Sequence, residues 1–133
     1  MNRRRDHVER VRFRNLLCEI AEERIVILST HIVGDIEATC ENIAVLNQGE
    51  LLFQGTVTEL LEQANGKIFS ADVSRKELPM LKEQYEVTSM MIQGTQAQVR
   101  FVAEEKPFAS AKACIPNVED AYMCLMHEKR GDR

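Results

Sequence analysis

The sequence predicts an α/β fold in two units, residues 1–65 and residues 66–133. Three observations support this prediction. The chain opens with an amphipathic helical pattern, two short apolar runs without alternation follow at 25–30 and 43–46, and alternating strands begin at Lys67. Runs without alternation are typical of strands buried on both faces, whereas alternation is typical of strands with one face in solvent.

Composition and length bound the class of protein. The chain has 133 residues, 44% of them hydrophobic, and a formal net charge of −4. That length suits one compact domain or two very small ones, and the apolar content excludes a disordered chain. A multi-domain enzyme with its own cofactor domain is not expected at this size. No apolar run reaches the roughly 18 residues of a transmembrane helix, and no secretory signal pattern is present.

The first unit begins with a helix and then alternates strands with short helices. Asp6 is the predicted N-cap of a helix over 6–23, with Glu9 three residues later. The elements predicted after it are a buried strand over 24–30, a helix over 32–41, a strand over 43–46, a hairpin partner over 51–53, and a helix that Thr56 caps and Asn65-Gly66 ends.

For residues 66–133 the sequence predicts a small α+β domain with the element order β-α-β-β-α. This order is close to a ferredoxin-like split motif that lacks one strand. The predicted elements are a strand over 67–73, a helix over 75–84 with a Ser74–Glu77 capping box, strands over 85–92 and 97–102, a short strand near 114–115, and a last helix capped by Asn117 with Asp120.

His31 is the one position that stands out on physical grounds. It follows the predicted strand 24–30, and ligands of open α/β sheets bind beyond the carboxyl ends of the strands. A histidine there can donate a hydrogen bond to an anion, although an ordinary loop residue is the more frequent case. The acidic residues Asp35, Glu37 and Glu41 have spacings that do not converge them into a catalytic pair.

Cysteines and charges give no further site. Cys18, Cys40, Cys114 and Cys124 form no C-x-x-C pair, so we predict reduced, mostly buried thiols and no metal site. Residues 1–14 carry six arginines and two acids. Such an arm can bind nucleic acid, but it contains no recognisable nucleic-acid motif and the rest of the chain is acidic. We therefore expect an exposed arginine-rich end and no nucleic-acid partner.

Four segments, taken in order, resemble the ATP-binding cassette (ABC) ATPases. Asp6–Leu17 resembles the helix after the D-loop of that family, and Ile25–Gly49 resembles its H-loop region. Gly49–Leu61 is similar to the closing strand and turn, G-x-x-x-x-x-G-T-P-x-E-L, with Val57 in place of the proline. Pro116–Leu125 resembles the P-x-L-E-D-x-[FY] ending of bacterial ABC-2-type exporter ATPases.

The resemblance implies roles for two residues. His31 matches the switch histidine, which contacts the γ-phosphate of ATP through a charge-assisted hydrogen bond in the family. Asp6 matches the D-loop aspartate at the interface of the nucleotide-sandwich dimer, although the family pattern Leu-Asp-Pro here is Arg5-Asp6-His7. The fold implied is the C-terminal part of an ABC nucleotide-binding domain over 1–65, followed by the accessory domain over 66–133.

Other parts of the family pattern are absent from these 133 residues. There is no phosphate-cradling G-x-x-x-x-G-K-[ST], no L-S-G-G-Q signature and no strand that ends in Asp-Glu. ATP and Mg²⁺ are the cofactors implied for a full-length subunit, and neither is expected to be used by this chain alone. We therefore expect a truncated ATP-binding subunit that is inactive in isolation.

The resemblance also implies partners and location. A full-length subunit pairs with a second ATP-binding subunit and drives an ABC-2-type membrane permease, which places it in the cytoplasm at the inner face of the cell membrane. Homodimerisation is a further possibility, through the apolar edge of strand 25–30. The alternative hypothesis is a standalone α+β regulatory or interaction module over 66–133, without catalytic activity.

Overall fold

The computed structural model describes residues 3–30 and 32–131. Contacts divide the chain into two compact units, one that ends at Glu41 and one that begins at Asn42. The helices are α1 (Arg3–Ala21), α2 (Gly34–Thr39), α3 (Val57–Ala64), α4 (Leu78–Gln84) and α5 (Val118–Gly131). The strands are β1 (Asn42–Asn47), β2 (Glu50–Thr56), β3 (Ile68–Ser74), β4 (Glu86–Gln93), β5 (Gln96–Val102) and β6 (Lys112–Ala113).

The first unit contains the helices α1 and α2. The predicted helix over 6–23 is confirmed as α1, but it begins at Arg3, so the prediction of Asp6 as the N-cap is wrong. Apolar side chains of α1 remain open to solvent, with Phe13 at 54% and Leu16 at 51% exposure. The apolar stripe that the sequence shows is therefore not buried in the described structure.

The predicted buried strand over 24–30 is not formed. Residues 25–30 have no strand assignment, and Ile25 and Ile27 are 95% and 92% exposed. A strand needs a hydrogen-bonded neighbour, and the two sheets of the described residues consist of other segments. The β-branched composition of the segment is suited to a strand, but composition cannot replace the missing neighbour.

The second unit of the structure, which begins at Asn42, opens with the hairpin β1–β2. The sequence predicts this hairpin, but as a part of the segment 1–65. The strands are antiparallel, with an irregularity between Val45 and Leu46. The chain turns at Gln48 and Gly49, which have φ values of 50° and 78°. Thr56 then caps α3, because its side-chain oxygen accepts a hydrogen bond from the Glu59 N–H at 3.1 Å. The prediction of Thr56 and Glu59 as a capping pair is confirmed.

The larger sheet has the strand order β4-β5-β3-β6, and every pairing in it is antiparallel. The strands predicted over 67–73, 85–92 and 97–102 are confirmed within one residue at each end. The helix predicted over 75–84 begins later, at Leu78. The Ser74–Glu77 capping box is wrong, since the Glu77 N–H bonds the Ser74 carbonyl instead, and Pro79 fits only the first turn of a helix.

Two apolar cores hold the second unit together. One lies on one face of the larger sheet and contains Phe69, Ala71, Val73, Leu78, Leu81, Ala97, Val99, Phe101 and Ala111. The other joins α3 and α5 to the hairpin and contains Phe53, Leu60, Ala64, Ile68, Val102, Ala121, Cys124 and Leu125. The second core therefore includes residues from both sides of position 65. The predicted boundary between two domains at Asn65–Gly66 stays a prediction.

Two further sequence predictions can be compared with the structure. Cys124 is buried, but Cys18 is exposed and Cys40 and Cys114 are half-buried, so the prediction of mostly buried thiols is wrong. The short strand expected near 114–115 lies at Lys112–Ala113. None of the described helices combines the length and the apolar character that a membrane span requires.

Candidate functional site

The two residues to which the resemblance gives roles cannot be placed by their side chains. His31 lies outside the described residues, and so does the side chain of Asp6, whose backbone belongs to α1. Beside His31, the Ile32 N–H donates a hydrogen bond to the Thr30 side-chain oxygen at 3.0 Å. The buried strand that would set His31 at a sheet edge is absent, so the switch role rests on the resemblance alone and stays a prediction.

The best-formed polar site in the described chain is centred on Asp120, in the first turn of α5. Asp120 is 1% exposed. Its Oδ2 atom accepts from the Arg100 guanidinium at 2.5 Å and from the Asn117 N–H at 3.0 Å. Its Oδ1 atom accepts from the Thr88 hydroxyl at 2.6 Å and, more weakly, from Arg100 Nε at 3.4 Å. We call Thr88, Arg100, Asn117 and Asp120 the Asp120 cluster.

Each member of the Asp120 cluster is positioned by its own element. Arg100 lies on β5 and Thr88 lies where the β4–β5 register shifts, between Val87 and Ser89. A bulge redirects a side chain, and here the Thr88 hydroxyl reaches α5. Asn117 closes the cap, since its Oδ1 accepts from the Asp120 N–H at 2.7 Å. The predicted Asn117–Asp120 capping pair is confirmed.

The electrostatics of Asp120 favour its ionised form. Burial raises the pKa of this carboxyl, but hydrogen bonds from Arg100, Thr88 and Asn117 outweigh burial, so the pKa is lowered from its ordinary value. The same ion pair raises the pKa of Arg100. Four hydrogen bonds occupy the acceptor positions of the carboxylate, which leaves none for a water or a substrate proton. The cluster therefore joins α5 to the sheet and is not a general base.

A second ion pair lies at the other end of the same helix face. Lys67 Nζ donates to Glu128 Oε1 at 2.5 Å. The hydrogen bond to Glu128 raises the pKa of Lys67. Burial raises the pKa of the neighbouring Cys124 thiol to about 11, so this thiol stays protonated and unreactive at neutral pH. Within the described residues, no group of three or more His, Cys, Asp or Glu could hold a metal ion.

Sequence reasoning found only half of the Asp120 cluster. The Asn117-x-x-Asp120 spacing is visible in the sequence, whereas Arg100 is 20 residues and Thr88 is 32 residues away. Val99 and Phe101 lie on one face of β5, so Arg100 between them lies on the opposite face. This alternation is the sequence feature that could have indicated Arg100 as a partner for α5. The register shift that turns Thr88 toward α5 has no comparable signal in one sequence.

Comparison with known proteins gives partial matches. An uncharacterized ABC transporter ATP-binding protein from Synechocystis is 25% identical over 135 aligned positions, which cover 93% of this chain and 37% of that protein. An uncharacterized ABC transporter ATP-binding protein from Bacillus subtilis is 26% identical over 77 residues, or 58% of this chain and 26% of that protein. The likeness supports an ABC ATPase-related family.

A third relative, with the same description, matches a shorter part of the chain at a higher identity. An uncharacterized ABC transporter ATP-binding protein from Nostoc is 34% identical over 61 residues, or 45% of this chain and 18% of that protein. The chain thus spans between 18% and 37% of the length of these ABC relatives. No protein-family model matches the chain. No solved structure matches it.

Proposed function

We propose that this chain is the C-terminal part of the ATP-binding subunit of an ABC-2-type exporter. The observation that carries the proposal is the likeness to an ABC transporter ATP-binding protein over 93% of the chain. The ending Pro116–Tyr122, which resembles the P-x-L-E-D-x-[FY] ending of that subfamily, adds support. In the whole subunit, ATP and Mg²⁺ would be bound by residues outside this chain, and His31 would contact the γ-phosphate.

The Asp120 cluster explains why such an ending needs its acidic residue. Asp120 is the last acid of the P-x-V-E-D sequence, and it is buried and paired with Arg100, whereas its neighbour Glu119 is exposed. An aspartate there caps α5 and fixes the helix against β5. In this chain Asp120 thus serves to hold α5 against the larger sheet.

The proposal includes partners and location. The subunit would pair with a second ATP-binding subunit, and both would act on a membrane permease from the cytoplasmic face. We further propose that residues 66–133 form a ferredoxin-like accessory domain, a proposal that the order β4-β5-β3-β6 supports. The alternative, a standalone regulatory or interaction module over 66–133 without catalytic activity, is less well supported, because the compact unit begins at Asn42 and its second core joins residues on both sides of position 65.

A chimera tests the ABC proposal. The region of the Synechocystis relative that this chain matches is replaced by this chain, and Mg²⁺-dependent ATP hydrolysis is measured. The chimera is expected to hydrolyse ATP. His31→Ala should lower the rate about 10- to 100-fold, since a hydrogen bond to a charged group contributes about 1.5–3 kcal/mol. His127→Ala, on the exposed surface of α5, is the control and should leave the rate unchanged.

Two results would count against the proposal. If the chimera folds but hydrolyses no ATP while the parent does, the chain does not fit that place in the subunit. If the isolated 133-residue chain hydrolyses ATP with Mg²⁺, and His31→Ala removes this activity, the chain is an enzyme by itself and its phosphate-binding residues lie within it.

A further inference from the structure

Strand β4 forms one edge of the larger sheet. The sheet ends at β4 on one side and at β6 on the other. β6 has two residues, whereas β4 has eight and pairs with β5 as far as Gln93. The outward-facing backbone of an edge strand is a template for another strand, and natural edges are protected by charges, prolines, bulges or short length.

The C-terminal part of β4 has no charge, proline or bulge of this kind. Residues Ser89–Gln93 (Ser-Met-Met-Ile-Gln) contain no charge and no proline, and the register irregularity lies before them, at Val87–Ser89. Three consecutive large apolar side chains stand open there: Met90 is 40% exposed, Met91 57% and Ile92 47%. We call Ser89–Gln93 the β4 edge.

The β4 edge continues the apolar layer of the sheet core. Met90 lies opposite Val99 and Ile92 lies opposite Ala97, and both partners on β5 are fully buried. Side chains that pair across strands share a face, so Met90 and Ile92 extend the face that carries the core. Met91 lies opposite Gln98, on the other face. The apolar layer therefore stops at an open edge rather than at a polar rim.

The pattern of the β4 edge is complementary to itself. In an antiparallel pairing with its two-fold axis at Met91, Met90 meets the partner's Ile92 and Ser89 meets the partner's Gln93. No like charges face each other in this register, and the apolar pair recurs on both sides of the axis. A two-fold interface is closed, so the pairing stops at two copies.

Other exposed segments are less suited to this pairing. β1 is also uncharged, but of its side chains only Leu46 is a large, widely exposed apolar residue, and it lies at the hairpin end next to a register irregularity. Ile25 and Ile27 are more exposed, but they belong to a segment without strand structure. An unformed strand must be ordered before it pairs, which costs about 1–2 kcal/mol for each residue.

We propose that two copies of this chain associate through their β4 edges, antiparallel and with Met91 on the two-fold axis, to form one continuous eight-stranded sheet. The occupant of each edge is the β4 edge of a second copy. This inference goes beyond the proposed function and does not depend on it. The contact is short, so it belongs with the small, weak interfaces below about 1,200 Å², and dimerisation depends on concentration.

Analytical ultracentrifugation of the full chain tests the proposal, at protein concentrations up to about 1 mM, where weak complexes become populated. The wild-type chain is expected to be a dimer in exchange with monomer. Met91→Lys places two positive charges face to face at the axis and should weaken dimerisation at least about tenfold. Gln98→Lys is the matched control, since it adds the same charge on the same face one strand inward.

A mixing experiment tests the register itself. M91K and M91E, each expected to be monomeric, are combined in equal amounts. Only a two-fold axis at position 91 brings the two opposite charges together, so the mixture should dimerise at least as well as the wild type. The proposal is wrong if the wild type stays monomeric, if M91K dimerises as the wild type does, or if the mixture stays monomeric. It is also wrong if Ile27→Lys, rather than M91K, abolishes the dimer.

Discussion

At the scale of single residues, the Asp120 side chain links α5 to the strands β4 and β5. It satisfies the N-terminus of α5, neutralises Arg100 on β5 and accepts from Thr88 on β4. Removal of Asp120 leaves the Arg100 charge unpaired, which is costly even though part of the Arg100 side chain lies in solvent. The capping half of this arrangement follows from local sequence spacing, whereas the pairing with Arg100 depends on tertiary contacts.

Asp120→Ala should therefore destabilise the chain by about 2–3 kcal/mol, because it removes hydrogen bonds to a charged group and a contact of the helix cap, while the freed Arg100, 29% exposed, stays partly hydrated. Glu119→Ala is the matched control, because Glu119 is an exposed acid in the same first turn of α5. We expect that control to change stability by less than about 1 kcal/mol. Urea unfolding followed by far-UV circular dichroism measures both, and equal losses would contradict a special role for Asp120.

The stability that Asp120 contributes should decrease as the pH falls. The pKa of Asp120 is lowered in the folded chain, so its contribution is complete above the unfolded value of about 3.9 and is lost as the pH falls through the folded value. The stability difference between the wild type and Asp120→Ala should thus be largest near neutral pH and shrink below about pH 4. A difference that grows on acidification would exclude an ionised Asp120.

At the scale of elements, two of the four predicted caps are formed, and one of the two predicted apolar runs, 43–46, forms a strand. Thr56–Glu59 and Asn117–Asp120 fix helix ends through contacts three residues apart, and both appear in the structure. Segment 24–30 has strand composition, but strand formation depends on a neighbour that a single sequence does not reveal. The start of α4 shows a third case, in which Pro79 and a backbone turn at Glu77 displace the expected Ser74 cap.

Matched isoleucines separate the exposed segment from the core. Ile27 is 92% exposed and Ile68 is 0% exposed. Ile27→Ala should change stability by less than about 0.5 kcal/mol, as surface substitutions do. Ile68→Ala should cost about 2–5 kcal/mol, because it leaves a cavity between β3 and α5. Thermal and urea unfolding measure both variants. A cost of several kcal/mol at Ile27 would show that segment 24–30 is packed after all.

At the scale of the whole molecule, the chain divides into two compact units. The second unit has two cores, and one of them joins residues on either side of position 65. The sequence does not predict this shared core. The change from non-alternating to alternating strands at Lys67 shows where the hydrophobic pattern changes, and it does not show which elements pack together. In the first unit, the described residues form the helices α1 and α2 and include the exposed segment around Ile25 and Ile27.

We propose that this chain has a folded α+β unit and that a complete ATP site needs residues outside these 133. Amide hydrogen exchange with mass spectrometry, with and without Mg²⁺-ATP, tests both parts together. We expect slow exchange in β3, β5 and α5, fast exchange in residues 24–30, and no peptide that gains protection when Mg²⁺-ATP is added. Slow exchange in 24–30, or protection of that segment by Mg²⁺-ATP, would contradict the claim.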